Sequence, residues 1–295
     1  MSEVDWLDQD AYPFDPHFID VEGGRMHYVD EGEGDPLLMV HGNPTWSFLY
    51  RHLIRRFSPD FRCVAPDHIG FGLSEKPTGR ALRPREHAQN LRMLVESLGL
   101  EGVTLVVQDW GGPIGLSYGI EVPDNVARLV ILNTWMWPVA EEPHFVMFSR
   151  LVGGSLGRFL IRRFNFFVRV IMRQAYGERR RLTRDIHAHY LRALASPEER
   201  RSCAALPGEI LGSGDWLAEL WERRGALENK PALIVWGLRD IAFREKELDV
   251  WSGLFPAADV VRLPDVGHFV QEEAPDELAS SMETLFLGVG NRVTD

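Results

Sequence analysis

The stretch LVVQDWGGPIG, residues 105–115, decides how this chain folds. An apolar run ends in an aspartate, a tryptophan and two glycines, whereas a buried strand normally ends in ordinary polar turn residues. The glycines after Asp109 favour a tight turn from a strand into a helix. Such a turn, a nucleophile elbow, lifts one side chain out of the sheet at a helix N-terminus. The stretch therefore predicts that Asp109 is a nucleophile.

The elbow departs in one respect from the usual pattern, small-x-nucleophile-x-Gly, because its first small position is Val107. Aspartate tolerates positive φ better than most residues, although an aspartate here is also suited simply to cap the following helix. A helix N-terminus stabilises an anion by roughly 0.3–1 kcal/mol, so we expect Asp109 to be ionised at neutral pH. A desolvated carboxylate attacks tetrahedral carbon and forms an ester.

Short apolar runs alternate with longer amphipathic segments from about residue 25 onward, which indicates a βα-type sheet with helices on its faces. Several runs are apolar nearly throughout, as strands covered on both faces should be. The predicted fold class is α/β, with a mostly parallel central sheet flanked by helices. The predicted strands are residues 36–40, 62–66, 103–108, 127–133, 232–237 and 259–264.

This alternation stops between residues 138 and 228, where the sequence becomes Arg- and Phe-rich with helical spacing. We interpret the segment as an inserted helical cap over the carboxyl ends of the strands, where such sheets bind ligands. The chain is therefore divided into a core domain, residues 1–137 and 229–295, and a cap domain, residues 138–228. Four aromatic residues at the start of the cap are candidates for the pocket lining or for the core: Trp135, Trp137, Phe145 and Phe148.

A candidate acid and a candidate base follow the nucleophile along the chain. Hydrolysis of an ester needs an activated water, hence a base and a group that orients it. His268 lies just after the last predicted strand, and Asp240 lies after the strand before it. The order nucleophile, acid, histidine is that of α/β-hydrolases. The predicted catalytic residues are thus Asp109, Asp240 and His268, with a plain turn residue as the alternative for Asp240.

A fourth element is HGNPTWS, residues 41–47, into which a predicted strand runs directly. In an α/β-hydrolase this loop carries backbone N–H groups that face the nucleophile on the oxyanion side. Asn-Pro is also ordinary turn chemistry, and His41 is a candidate brace of the loop. We favour a functional role for Asn43.

With these motifs the chain resembles the haloalkane dehalogenases of the α/β-hydrolase superfamily over nearly its whole length. The elbow and the residue order are specific to the superfamily, and HGNPTWS together with QDWGGP points to the dehalogenases within it. The segments that carry the resemblance are HGNPTWSFLYRHLI, APDHIGFGLSEKP, VVQDWGGPIG, PALIVWGLRDIAF and DVGHFVQEEAP.

The resemblance implies a role for each residue. The residue at Asp109 displaces halide, Trp110 holds the departing halide through its indole N–H, and Asn43 supplies a second donor. The backbone amides of Asn43 and Trp110 serve the oxyanion, while His268, oriented by Asp240, activates water. The implied substrate is a small apolar haloalkane, and the products are an alcohol, a halide ion and a proton. Neither a metal nor an organic cofactor is implied.

Members of this family differ in the position of the orienting acid. Some place a carboxylate after the strand that here reads ILNTWMWP, where this chain has Asn133 and no acid before Glu141. Asp240 is therefore the predicted acid. The pattern resembles the subgroup that combines an Asn–Trp halide pair with a late Asp.

Two other functions compete with this interpretation. An epoxide hydrolase uses the same nucleophile, acid and histidine but needs cap tyrosines to protonate the epoxide oxygen, and Tyr176 and Tyr190 are candidates. A catalytically idle binding protein would keep the pocket for a small apolar molecule. Asn43 favours a dehalogenase over an epoxide hydrolase. An intact set of nucleophile, acid and base argues against a binding protein without activity.

The charge and the N-terminus narrow the function classes further. A net charge of -11 argues against a general nucleic-acid-binding protein, which needs a basic face. The N-terminus lacks the features of a secretory signal, and no apolar run reaches the roughly 18–20 residues that cross a bilayer. We predict a cytoplasmic protein without a membrane span. Cys63 and Cys203 match no metal-ligand spacing and are expected to be buried or free thiols.

The segment 150–184 contains ten arginines and one acid, Glu178. The simplest interpretation is a solvated helix face. The alternatives are a self-association surface, which would make the chain a homo-oligomer, and an electropositive entrance that draws anions.

Overall fold

The computed structural model describes residues 5–290, which contain one eight-stranded sheet. The strands are β1 His17–Val21, β2 Gly24–Glu31, β3 Pro36–Val40, β4 Arg62–Pro66, β5 Val103–Gln108, β6 Val126–Leu132, β7 Ala232–Gly237 and β8 Asp259–Leu263. Their order across the sheet is β1-β2-β4-β3-β5-β6-β7-β8. The six strands predicted from the sequence are all present, with ends that differ by at most one residue.

The six strands β3 to β8 pair in parallel, whereas β1 and β2 join the edge of the sheet in antiparallel pairs. Every residue of β3, β5 and β7 is buried, which explains why these strands are apolar on both faces. The predicted α/β fold with a mostly parallel sheet is confirmed.

The edge hairpin formed by β1 and β2 was not among the predicted strands. Most of its residues are only partly buried, and the two strands are joined by a two-residue turn at Glu22 and Gly23. Gly23 has a φ of +88°, a conformation that glycine adopts without strain. This turn, flanked by alternating residues, was the signal that identifies the hairpin.

Helices cover both faces of the sheet. The helices before β6 and after β7 are α1 Arg51–Phe57, α2 Pro84–Leu98, α3 Gly111–Glu121, α10 Glu245–Leu254, α11 Val270–Glu273 and α12 Pro275–Gly290. Helix α3 begins immediately after the elbow and is buried along nearly its whole length, because its small residues allow close packing on β3 and β5.

The chain between β6 and β7 is helical, as the sequence indicates. Its helices are α4 Pro143–Val152, α5 Ser155–Phe164, α6 Met172–Ala175, α7 Arg184–Arg192, α8 Arg201–Gly212 and α9 Gly214–Glu222, with a π-helical turn at Phe167–Ile171. Side chains from α4, the π-helical turn, α6 and α8 cover the cavity at the carboxyl ends of the strands. The division into a core and a cap domain at residues 138–228 stays a prediction.

Other predictions concern the surface and the thiols. Within residues 5–290, no helix is long and apolar enough to cross a membrane. Cys63 and Cys203 are both buried free thiols, as expected. In the Arg-rich segment, Arg180 and Arg181 pair with Glu178, while the hypotheses of self-association and of an electropositive entrance stay predictions.

Candidate active site

The predicted site residues meet at one edge of the sheet. Asn43 follows β3, Asp109 follows β5, Asp240 follows β7 and His268 follows β8. Parallel neighbouring strands end at the same edge, so residues far apart in the sequence come together there.

The elbow at Asp109 has the strained backbone that the sequence predicts, with a φ of +52°. Its backbone N–H donates a hydrogen bond to the carbonyl of Asn133, 3.0 Å away at the end of β6. The glycines allow this turn to fit between strands: a Cβ at Gly111 would lie 1.9 Å from the Val40 carbonyl oxygen, and one at Gly112 would lie 1.9 Å from Thr134 Oγ1.

The carboxylate of Asp109 is bound by backbone amides. The N–H of Asn43 donates to Asp109 Oδ1 across 2.7 Å, and the N–H of Trp110 also bonds to the carboxylate. Gly42 makes this approach possible, because a Cβ there would lie 2.2 Å from Asp109 Oδ1. Loss of hydration raises the pKa of Asp109, although His268 and the two amides favour its ionised form. The burial effect therefore opposes the helix-terminus effect expected from the sequence.

His268 lies between the two aspartates. Its Nδ1 donates to Asp240 Oδ2 across 2.8 Å, and its Nε2 is 3.6 Å from Asp109 Oδ2. Burial disfavours the imidazolium, but the carboxylates of Asp240 and Asp109 outweigh this and raise the pKa of His268. The arrangement places one ring nitrogen on an orienting acid and the other beside the nucleophile.

Asp240 is held by two donors besides the histidine. The backbone N–H of Ala242 donates to Asp240 Oδ1 across 2.7 Å, and Asn133 Nδ2 donates to Asp240 Oδ2 across 2.9 Å. Asn133 is itself fixed by hydrogen bonds with both backbone groups of Gly237. Asp240 is thus a buried, oriented carboxylate, which is more than a plain turn residue requires.

The two side chains implied as halide donors both line the cavity in front of Asp109. Asn43 Nδ2 donates to the carbonyl of Cys203 across 3.3 Å, and an amide carries two N–H donors, of which the residues between 5 and 290 bind this one. The ring of Trp110 is held edge-on against Trp135, with ring centroids 4.6 Å apart.

The cavity has a volume of about 180 Å³ and is lined mainly by apolar side chains. Of the four aromatic candidates, Trp135, Phe145 and Phe148 line it. Trp137 follows the core alternative and packs against Trp221 and Trp251. The remaining lining residues are Asn43, Asp109, Trp110, His144, Met147, Phe167, Ile171, Met172, Ala175, Pro207, Ile210, Ile241, Ala242, Phe243, Arg244, His268 and Phe269.

Both tyrosines required by the epoxide hydrolase alternative lie outside this cavity lining. The hydroxyl of Tyr190 donates to Glu272, which is also bound through two hydrogen bonds by Arg51. Tyr176 packs against Phe269, with ring centroids 5.2 Å apart. The Tyr190 hydroxyl is thus already bound to a carboxylate.

Known proteins are similar to this chain over most of its length. Residues 35–275 match a family model described as the alpha/beta hydrolase fold. Haloalkane dehalogenase 2 of Mycobacterium tuberculosis is 42% identical over 277 residues, which cover 93% of this chain and 96% of the relative. The chain belongs to the haloalkane dehalogenases. The predicted resemblance is thereby confirmed, and the chain is a hydrolase that acts on carbon–halogen bonds.

Two further proteins are similar to this dehalogenase chain. The structure of the haloalkane dehalogenase DbeA from Bradyrhizobium elkani covers 94% of this chain and 99% of its own, with a TM-score of 0.83 and 25% sequence identity. A cis-3-alkyl-4-alkyloxetan-2-one decarboxylase from Shewanella oneidensis is 35% identical, covering 92% of this chain and 88% of the relative.

Sequence reasoning missed two residues of this dehalogenase site. Asn133 was noted only because it is not an acid, yet it binds Asp240. Gln108 stood in the quoted motif without a role, yet its side chain contacts His268. A polar residue at the end of an otherwise apolar buried strand was the available signal in both cases. His41, in turn, braces the loop after β3, because its Nδ1 donates to the carbonyl of Gly42 across 2.8 Å.

Proposed function

We propose that this chain hydrolyses haloalkanes through a covalent ester on Asp109. The observation that supports this best is the surroundings of the Asp109 carboxylate: two backbone amides bind it, His268 Nε2 lies 3.6 Å away, and an apolar cavity opens in front of it. The proposed substrate is a small apolar haloalkane, because the lining offers few polar groups.

In the first step, Asp109 attacks the carbon that carries the halogen. The new C–O bond forms as the carbon–halogen bond breaks, and the electron pair of that bond leaves with the halide. The indole N–H of Trp110 and the free amide N–H of Asn43 bind the departing ion. Such donors strengthen their interaction as charge develops, which favours the transition state over the bound substrate.

In the second step, His268 Nε2 accepts a proton from water while the water oxygen attacks the ester carbonyl carbon of Asp109. The backbone amides of Asn43 and Trp110 stabilise the resulting oxyanion. As this intermediate collapses, its bond to the alkyl oxygen breaks, the alkoxide leaves as the alcohol with the proton of the added hydroxyl, and the carboxylate is restored. His268 then releases its proton to solvent. Asp240 stabilises the imidazolium and keeps the ring in the orientation that the transfer needs. We also propose that the chain belongs to the subgroup with an Asn–Trp halide pair and a late Asp, which the position of Asp240 after β7 supports.

The experiment compares three substrate classes: a panel of brominated alkanes, a terminal epoxide and a cis-3,4-dialkyloxetan-2-one. The last is included because the Shewanella relative is named for it. We expect bromide release and alcohol from the alkanes, and loss of both in Asp109→Asn. Diol formation without bromide release would favour an epoxide hydrolase, and decarboxylation alone would favour the activity of that relative. Turnover of none of them would favour a binding protein.

A further inference from the structure

Gln108 is the last residue of β5 and is fully buried beside the catalytic histidine. Its Nε2 lies 2.8 Å from His268 Nε2 and 3.2 Å from the backbone carbonyl oxygen of His268. A carbonyl oxygen only accepts hydrogen bonds, so the NH₂ group of the amide must face the histidine. This backbone contact fixes the orientation of the Gln108 amide.

The amide orientation in turn fixes the proton on the imidazole. Nδ1 of His268 faces the carboxylate of Asp240 and therefore carries a hydrogen. Nε2 receives an N–H from Gln108, so it must hold a lone pair. Only the neutral ring satisfies both contacts, because an imidazolium would direct Nε2–H against the N–H of Gln108.

The surroundings of His268 explain why such a contact is needed. Burial opposes protonation of the ring, but the carboxylates of Asp240 and Asp109 outweigh it and raise the pKa of His268. A base that is already protonated cannot take a proton from water. An imidazolium 3.6 Å from Asp109 Oδ2 would also pair with the nucleophile and weaken its attack.

We propose that Gln108 is a positioning residue that keeps His268 neutral, with its lone pair on Nε2, until the ester on Asp109 has formed. This inference rests on the proposed function. Esterification removes the charge of Asp109, and water then replaces the amide at Nε2. The proton that then reaches Nε2 is stabilised through the carboxylate of Asp240 at Nδ1 of the same ring.

The test uses Gln108→Met, which keeps the length of the side chain without a donor, and Gln108→Glu, which adds an acceptor. Rapid mixing separates the burst of halide release from the slower hydrolysis of the ester. A single neutral hydrogen bond corresponds to roughly one unit of pKa. The acid limb is the low-pH side of the pH–rate profile for ester hydrolysis, where a protonated His268 no longer acts as a base. We therefore expect this limb to move to higher pH by about one unit in Gln108→Met, and further in Gln108→Glu. The burst should persist in both variants.

The matched control is Gln271→Met, which makes the same replacement at another fully buried glutamine. It should leave the acid limb in place. An unchanged limb in Gln108→Met, with burst and hydrolysis slowed equally, would mean that Gln108 only fills space, and the proposal would be overturned. Thermal unfolding of each variant establishes that it is folded.

A second measurement separates this proposal from the proposed function. The ¹⁵N resonances of labelled histidine distinguish a lone-pair nitrogen from a protonated one, and His268→Phe assigns the signals. We expect wild-type His268 Nε2 to be unprotonated at neutral pH, and protonated in Gln108→Glu. A protonated Nε2 in the wild type would contradict the role of Gln108 even if the ester forms. Absence of a halide burst with an unprotonated Nε2 would instead contradict the proposed function alone.

Discussion

Asn133 Nδ2 donates a hydrogen bond to the same oxygen, Asp240 Oδ2, that accepts from His268 Nδ1. The two distances are 2.9 Å and 2.8 Å. Asn133 directly follows β6, and its side chain also binds the backbone of Gly237 at the end of β7. Asn133 thus ties the carboxylate of Asp240, which follows β7, to the end of the neighbouring strand β6.

Replacing Asn133 by leucine should slow hydrolysis of the ester and leave its formation intact. Asp240 would lose one of its donors, and the backbone N–H and carbonyl of Gly237 would each lose a hydrogen bond. We expect steady-state turnover to fall about ten- to a hundredfold and the free energy of unfolding to fall by about 1–3 kcal/mol. Rapid-mixing kinetics and denaturant unfolding measure the two effects. Normal turnover in a destabilised variant would show that Asn133 is only structural.

Moving the acid gives a stricter test of its role. Asp240→Asn should slow hydrolysis by about 10³–10⁴-fold, because an amide no longer favours the Nδ1–H tautomer or the imidazolium. Adding Asn133→Asp to this variant returns a carboxylate to the same cluster of side chains. We expect the double variant to recover at least about tenfold, with the recovery measured in the hydrolysis step. A double variant as slow as Asp240→Asn would contradict the idea that a carboxylate at residue 133 can orient His268 in place of Asp240.

Trp110→Phe tests the binding of the departing halide. A hydrogen bond to a charged group contributes roughly 1.5–3 kcal/mol, so loss of the indole N–H should slow ester formation by about 10- to 100-fold. Trp137→Phe is the matched control, because Trp137 packs against Trp221 and Trp251 away from the cavity lining. A crystal soaked in bromide should hold the ion between Trp110 Nε1 and Asn43 Nδ2. An ion elsewhere in the cavity would contradict the donor assignment.

Asp109→Asn should stabilise the fold at neutral pH while it abolishes turnover. Burial raises the pKa of Asp109, so the folded state binds a proton more readily than the unfolded state. A carboxyl group of this kind lowers the free energy of unfolding as the pH rises from its pKa in the unfolded chain to its pKa in the folded chain. The lost stability is not regained at higher pH. The variant should therefore gain on the order of 1 kcal/mol at neutral pH, and the gain should vanish in acid. Denaturant unfolding across pH checks this; equal stability at neutral pH would contradict it.

Much of the fold could be predicted because β3, β5 and β7 are apolar on both faces and lie between clear turns. Each candidate catalytic residue could also be located, since it follows one of these strands or β8. The edge hairpin of β1 and β2 escaped because its residues are only partly buried. Its alternating polarity carries a weaker signal than a fully buried strand.

The residues missed at the site depend on contacts between neighbouring strands. Gln108 and Asn133 act through atoms of His268 and Asp240, which lie 160 and 107 residues away in the sequence. The sequence also does not show that the side chain of Trp137 packs against Trp221 and Trp251 and not in the cavity lining. These relations follow from the register of the sheet and not from any local pattern.

The central claim is that Asp109 becomes alkylated, and a trapped ester tests it most directly. His268→Phe removes the base, so the ester should form and remain after incubation with a bromoalkane. Mass spectrometry should find the added alkyl mass on the peptide that contains Asp109, with about one equivalent of bromide released. An unmodified peptide from this variant, together with full turnover by the wild-type chain, would contradict the account.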